Sequence, residues 1–116
     1  MKYAITTALL CVLATPALAA YTGPQDIPQV FTTAIEAREF PIDDHEVKLE
    51  GHIIKRIGHD KYLFRDKTSA IRLEIDAPVF PADDFDDKTL IRIYGEVDAK
   101  TLDEPQIDVD RIQIVK

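Results

Sequence analysis

The most regular stretch of the chain, Gly58 to Asp76, reads GHDKYLFRDKTSAIRLEID and holds two short runs of alternating apolar and polar residues. In the first run Tyr62 and Phe64 share one face, with Lys61, Leu63 and Arg65 on the other. In the second, Ile71, Leu73 and Ile75 oppose Arg72, Glu74 and Asp76. A period of two predicts half-buried antiparallel strands, and Asp66-Lys67-Thr68-Ser69 supplies the polar turn between them. So short a hairpin needs further strands over its apolar face.

Those strands are visible on either side. Val47, Leu49, Gly51 and Ile53 alternate with Lys48, Glu50, His52 and Ile54, predicting a strand that continues to Arg56. Its central glycine marks a bend or bulge, as a strand shared between the two halves of a small barrel requires. Ile91, Ile93, Gly95 and Val97 alternate with Leu90, Arg92, Tyr94 and Glu96 in a fourth strand. Ile107, Val109, Ile112 and Ile114 define the fifth, and the slip in spacing after Val109 predicts a bulge. Ala77 to Asp87 carries two prolines and four aspartates and reads as a connector whose Val79, Phe80 and Phe85 plug an open barrel end. Upstream, Pro28 followed by Val30, Phe31, Ala34, Ile35 and Ala37 predicts a short amphipathic helix over Gln29–Arg38, ended before Pro41.

The sum is an all-β chain with a short N-terminal helix. Five strands with a break between the third and fourth fit a five-stranded OB-fold, a Greek-key barrel. A small sandwich would also use short strands, but the chain length and the matched glycines of strands one and four favour the barrel. The arm and helix occupy residues 20–45 and the barrel residues 46–116.

Residues 1–19 stand apart. A positive start, an apolar run from Ala4 to Ala14 and the small-x-small pattern Ala17-Leu18-Ala19 predict a secretory signal peptide cleaved after Ala19. The run is too short to span a bilayer, which takes roughly 20 apolar residues, so no membrane insertion is expected once it is removed. Cleavage removes Cys11, the one cysteine, and leaves neither disulfide nor thiol. It also removes Lys2, so that 13 basic residues face 21 acidic ones, a net charge of −8. Such a field repels phosphate backbones and argues against nucleic acid as a partner.

Little in the inventory supports catalysis. Ser69 is the only serine and falls in a turn, with no base placed beside it by sequence. His45, His52 and His59 fall in a linker, on an outward face and in a turn, which does not bring imidazoles together for a metal. Asp83, Asp84, Asp86 and Asp87 form the densest acidic cluster, but they lack the ordered ligand spacing and glycine of an EF-hand and read as a solvated loop. No enzyme activity, metal or cofactor is expected.

Several motifs together resemble the bacterial OB-fold (BOF) family of small exported proteins, the YgiW/YdeI type linked to envelope and stress tolerance. They are Tyr21-Thr22-Gly23-Pro24, Asp43-Asp44, Val47-x-Leu49-x-Gly51-x-Ile53, Asp60-x-Tyr62-x-Phe64-x-Asp66, Ile71-x-Leu73-x-Ile75-Asp76, Gly95-Glu96-Val97-Asp98 and Ile107-Asp108-Val109-Asp110. The connector departs from the family, reading Val79-Phe80-Pro81-Ala82 where relatives tend to carry Trp, a small residue and Gly. The resemblance implies a periplasmic OB-fold that binds without known catalysis.

OB-folds bind extended ligands on the outer surface of their second and third strands. Here that surface is expected to show Lys61, Leu63, Arg65, Arg72 and Glu74, with His52, Ile54 and Arg56 beside them. Asp98, Asp103 and Glu104 are expected to form an acidic rim. The reading is a periplasmic binding protein, monomeric or weakly oligomeric, that takes a saccharide, a cationic peptide or another cation. The alternative is an interaction module that docks an envelope or outer-membrane protein. A set of cross-strand ion pairs would explain the charged face equally well.

Overall fold

The computed structural model describes residues 21–24, 26–100 and 104–116; the predicted signal peptide and Asp103 lie outside them. The elements run β1 (Val30–Phe31), α1 (Ala34–Glu39), β2 (Glu46–Gly58), β3 (Lys61–Arg65), β4 (Ala70–Glu74), a 3-10 turn (Ala77–Val79), β5 (Ile91–Asp98) and β6 (Gln106–Ile114). Strands β2 to β6 close into a barrel in the order β2-β3-β4-β6-β5, with β5 pairing back onto β2. Only β4 and β6 run parallel within it. This is the five-stranded OB-fold barrel with one short helix.

Closure depends on β2. Its first half, Glu46 to Gly51, pairs with β5, and its second half, from His52, pairs with β3. The change of partner falls between Gly51 and His52. A Cβ on Gly51 would run into the carbonyl oxygen of Arg65 and the ring of Phe64. Gly95 is equally constrained, because a Cβ there would meet the backbone of Asp108 and Val109. Beside it the β5–β6 register shifts after Tyr94, which leaves Asp110 as the extra residue of the expected bulge.

The core alternates as the period-two pattern requires. Val47, Leu49, Phe64, Ile71, Leu73, Ile91, Ile93 and Ile107 are all buried, and so is Ile75 just past β4. Tyr62 differs from expectation. It lies on the inner side with Phe64 but at the barrel mouth, half-buried, edge-on to Phe80 with ring centroids 5.5 Å apart. Phe85 packs behind Phe80 at 6.0 Å, so the connector plugs this end.

The opposite end is closed by the N-terminal segment, and here the predicted helix boundaries are corrected. Residues 30 and 31 are extended and pair in parallel with Glu46 and Val47, burying Phe31 completely. The helix starts only after Thr33, whose hydroxyl accepts from the Glu36 amide while the Glu36 carboxylate accepts from the Thr33 amide. This capping box sets the start. The pattern Thr33-x-x-Glu36 carries this signal in the sequence, in competition with the apolar spacing that runs on from Pro28.

Truncation at the two aromatic positions tests this packing. In urea denaturation Phe64→Ala should lose about 3–5 kcal/mol, as for a fully buried aromatic, and Tyr62→Ala less than half of that. Equal losses would place Tyr62 in the core.

Candidate binding face

The outer surface of β2, β3 and β4 places Leu63 at its centre. Antiparallel neighbours share a face, so the pairs Leu63–Arg72, Lys61–Glu74, Arg65–Ala70 and His52–Arg65 locate the expected residues. One assignment is overturned. Ile53 pairs with Phe64 and Lys55 with Leu63, so Ile54 is an extra residue, and Ile57 is a second one further on. Two bulges break the alternation. The one at Ile54 puts Arg56 opposite Tyr62 and off the face, its guanidinium carbon 5.7 Å from the centre of the Tyr62 ring. Lys55 and Ile57 take its place beside Leu63.

The result is a groove of about 680 Å³ lined by Arg38, Lys55, Ile57, Leu63, Arg65 and Arg72, among others. Arg38 comes from α1, where it donates to the Ala70 carbonyl at 3.2 Å and to Glu104 at 3.4 Å. Among the described residues Lys55, Arg65 and Arg72 have no carboxylate within salt-bridge distance. This is notable in a chain with 21 acidic residues. Lys61 and Glu74 behave otherwise. They pair at 3.1 Å and share Gln106, which accepts from Lys61 at 3.0 Å and donates to Glu74 at 2.9 Å. These two tie one end of the β3–β4 ladder through a directly opposed ion pair.

Of the expected acidic rim, Asp103 lies outside the described residues, and the other two have partners. Asp98 accepts from Gln106 at 3.2 Å and from the Lys100 amide at 3.2 Å, and Glu104 is engaged by Arg38. The acidic charge gathers instead around β5 and β6. There the charge of Asp110, then burial, then Asp44, Asp108 and Glu46 push the Glu96 carboxyl above its usual range. Burial, followed by Glu74, Asp98 and Asp110, does the same to Asp108.

The histidines tether segments. His45 stacks on Phe31 at 4.0 Å and bonds the Pro28 carbonyl at 2.7 Å, which latches the N-terminal arm. His52 bonds the Thr89 carbonyl at 2.9 Å. His59 is exposed beside Asp60. In the connector Asp86 accepts from the Lys88 amide and the Thr89 hydroxyl, while Asp83, Asp84 and Asp87 are exposed. Among the described residues no group of three or more His, Cys, Asp or Glu is arranged to hold a metal ion.

Beside the cationic groove lies a second pocket of about 780 Å³, on the far side of Arg65. Its wall is mostly carbon, from Ile54, Leu90 and the stems of longer residues. Arg65 and Thr68 line both cavities. Asp66 fixes this junction. One of its oxygens accepts from the amides of Thr68 and Ser69 and from the Thr68 hydroxyl; the other accepts from the Ala34 amide at 2.8 Å. In the sequence Asp66 reads as a turn residue that also ends the motif Asp60-x-Tyr62-x-Phe64-x-Asp66, with no local signal of its bond to the Ala34 amide.

The closed five-stranded barrel with its one short helix defines a small OB-fold protein. The chain belongs to the bacterial OB-fold (BOF) family, whose model matches residues 14–114. It is similar to the calcium-regulated OB-fold protein CarO of Pseudomonas aeruginosa, 42% identical over 98 residues, which span 84% of this chain and 82% of that protein. It also resembles YgiW of Escherichia coli K12, 30% identical over 127 residues, covering 98% of this chain and 97% of YgiW. The solved structure of E. coli ygiW superposes with a TM-score of 0.69 at 33% identity, over 78% of this chain and all of that one. Ten1 of Saccharomyces pombe, at 16% identity and a TM-score of 0.53, shares the fold alone.

Burial disfavours ionisation of Asp66, but the bonds it accepts from Thr68, Ala34 and Ser69 outweigh this and hold its carboxyl below the ordinary value of 3.8. A depressed acid contributes stability above its unfolded pKa and loses it as pH falls through the folded one. Asp66→Asn should therefore be less stable than wild type at pH 6, with the gap closing as pH drops below about 4. Thermal denaturation across that range reads the gap; a constant gap would show that ionisation of Asp66 does not matter.

Proposed function

We propose that this chain is an exported envelope protein that binds, without catalysis, an extended ligand carrying carboxylate or phosphate groups on the outer face of β2, β3 and β4. One observation carries the reading: Lys55, Arg65 and Arg72 surround exposed Ile57 and half-buried Leu63 with no carboxylate in ion-pair range among the described residues. Three like charges gathered on one sheet face destabilise it slightly unless something neutralises them. A face meant only for solubility would have interleaved the abundant acids, as Lys61 and Glu74 do a few ångströms away.

This reverses the sign of ligand that the net charge suggested. The bulk of the chain is anionic, but the charge is segregated, and the groove answers to its local cations. A saccharide ligand stays within the reading in its acidic form. Nucleic acid fits poorly, because Tyr62 and Phe64 point inward and the face offers no aromatic platform for bases. Envelope location and a role in stress tolerance follow from the predicted leader and from the character the family is known for. The groove, rather than any metal centre, supports the binding role, so the calcium regulation in the name of the P. aeruginosa relative is not required for it.

Oligogalacturonate, an extended acidic saccharide, tests the reading against neutral maltoheptaose and oligo-dT by calorimetry. Binding of the acidic saccharide should exceed both and weaken as salt rises. Arg65→Ala with Arg72→Ala should reduce it at least tenfold, about 1.4 kcal/mol. The same pair should leave the melting temperature nearly unchanged, since neither arginine forms an ion pair among the described residues. Undiminished binding by the folded double variant would remove the site from this face.

A further inference from the structure

We propose that the cationic groove and the carbon-lined pocket beside it are two halves of one site for a single-chain anionic amphiphile, its head on Arg65 and Arg72 and its chain along Ile54 and Leu90. The proposal rests on the binding-face reading above and names the ligand class for it.

Three features support the assignment. The two cavities are neighbours, with Arg65 and Thr68 in the wall of both. A ligand held by the Arg65 guanidinium therefore sits at the boundary between groove and pocket. Next, the two halves differ in kind. The groove wall is mostly polar and carries Arg38, Lys55, Arg65 and Arg72 against one carboxylate, Glu104, which pairs with Arg38, whereas the pocket wall is mostly carbon. At about 780 Å³ the pocket falls within the ~300–1,000 Å³ of small-molecule sites. Leu90, in its wall, is 38% exposed.

The third feature is charge balance, and it decides the orientation. Lys48 and Lys67 line the pocket, but so do Glu50, Asp66 and Asp87. With Arg65 counted, three cations face three carboxylates there. The pocket thus offers an anion no net attraction. A ligand charged along its whole length would gain on the groove and gain nothing in the pocket. A ligand charged at one end and apolar at the other satisfies both. Hydrocarbon burial then adds affinity in proportion to chain length, up to roughly fourfold per methylene where burial is complete.

Titration of the purified protein with dodecyl phosphate below its micelle concentration, followed calorimetrically, tests this against glycerol 3-phosphate and dodecyl maltoside. Dodecyl phosphate should bind at a stoichiometry of one and at least tenfold tighter than either, and octyl phosphate should fall in between. Leu90→Asp should weaken dodecyl phosphate at least tenfold while leaving oligogalacturonate unchanged, and Arg65→Ala with Arg72→Ala should weaken both. Leu90→Ser serves the same comparison should the aspartate perturb folding. Equal binding of dodecyl phosphate and glycerol 3-phosphate, or of dodecyl phosphate and dodecyl maltoside, overturns the amphiphile, as does indifference to Leu90. If oligogalacturonate still binds at Arg65 and Arg72, the groove stands without the pocket. If no anion binds at all, both readings fall together.

Discussion

Each strand of this barrel has two neighbours, and β2 is the one that meets its two in succession along its length. It serves β5 with its first half and β3 with its second, and the exchange happens over the bond between Gly51 and His52. At that point the backbone of β3 approaches so closely that no side chain fits at residue 51. The rest of the molecule takes its geometry from this crossing. The outer face of β2 beyond His52 belongs with β3 and β4, and the face before it belongs with β5 and β6. The same crossing separates the cationic groove from the acidic side.

Each barrel end is then stoppered by a different device. Tyr62, Phe80 and Phe85 close one by aromatic packing. The other is closed by Phe31 and α1, which bury Ala34 and Ala37 against the barrel. A helix of six residues has almost no stability of its own. It is held by its capping box and by a carboxylate thirty-two residues away, since Asp66 binds the Ala34 amide while ordering its own turn. The β3–β4 turn and the helix are therefore one unit, and that unit sets where Arg38 and Arg65 stand relative to each other.

Much of this could be read from the chain because burial imposes a period. Strand phases, the pairing of Lys61 with Glu74 once the turn was placed, and the glycines at 51 and 95 all follow from alternation. The bulge in β6 could be read as well, since the apolar spacing slips after Val109. The bulges in β2 could not. Ile54 and Ile57 are apolar residues on an outer face, and Lys55 and Arg56 between them fit either phase, so nothing in the pattern is violated. That silence put Arg56 on the wrong side and hid Lys55 and Ile57. A two-residue strand such as β1 has no period to detect. Charge segregation was invisible for another reason: net charge is a sum, whereas a ligand meets only the local field.

The same bulges give β2 an unusual property. Losing one residue from a strand ordinarily turns every side chain beyond it to the opposite face. At Ile54 and Ile57 it would not, because neither has a partner across the ladder and the pairs on either side already match without them. The strand carries two residues of slack. Length variation, which folds usually confine to loops, has a place inside the central strand of this barrel. A shorter β2 would keep Lys55 beside Leu63 while surrendering curvature and one apolar side chain, Ile54 of the pocket or Ile57 of the groove. Between relatives of unequal length, a gap at this point in an alignment would mark a change in the bend and the apolar lining of the binding face and not in its cations.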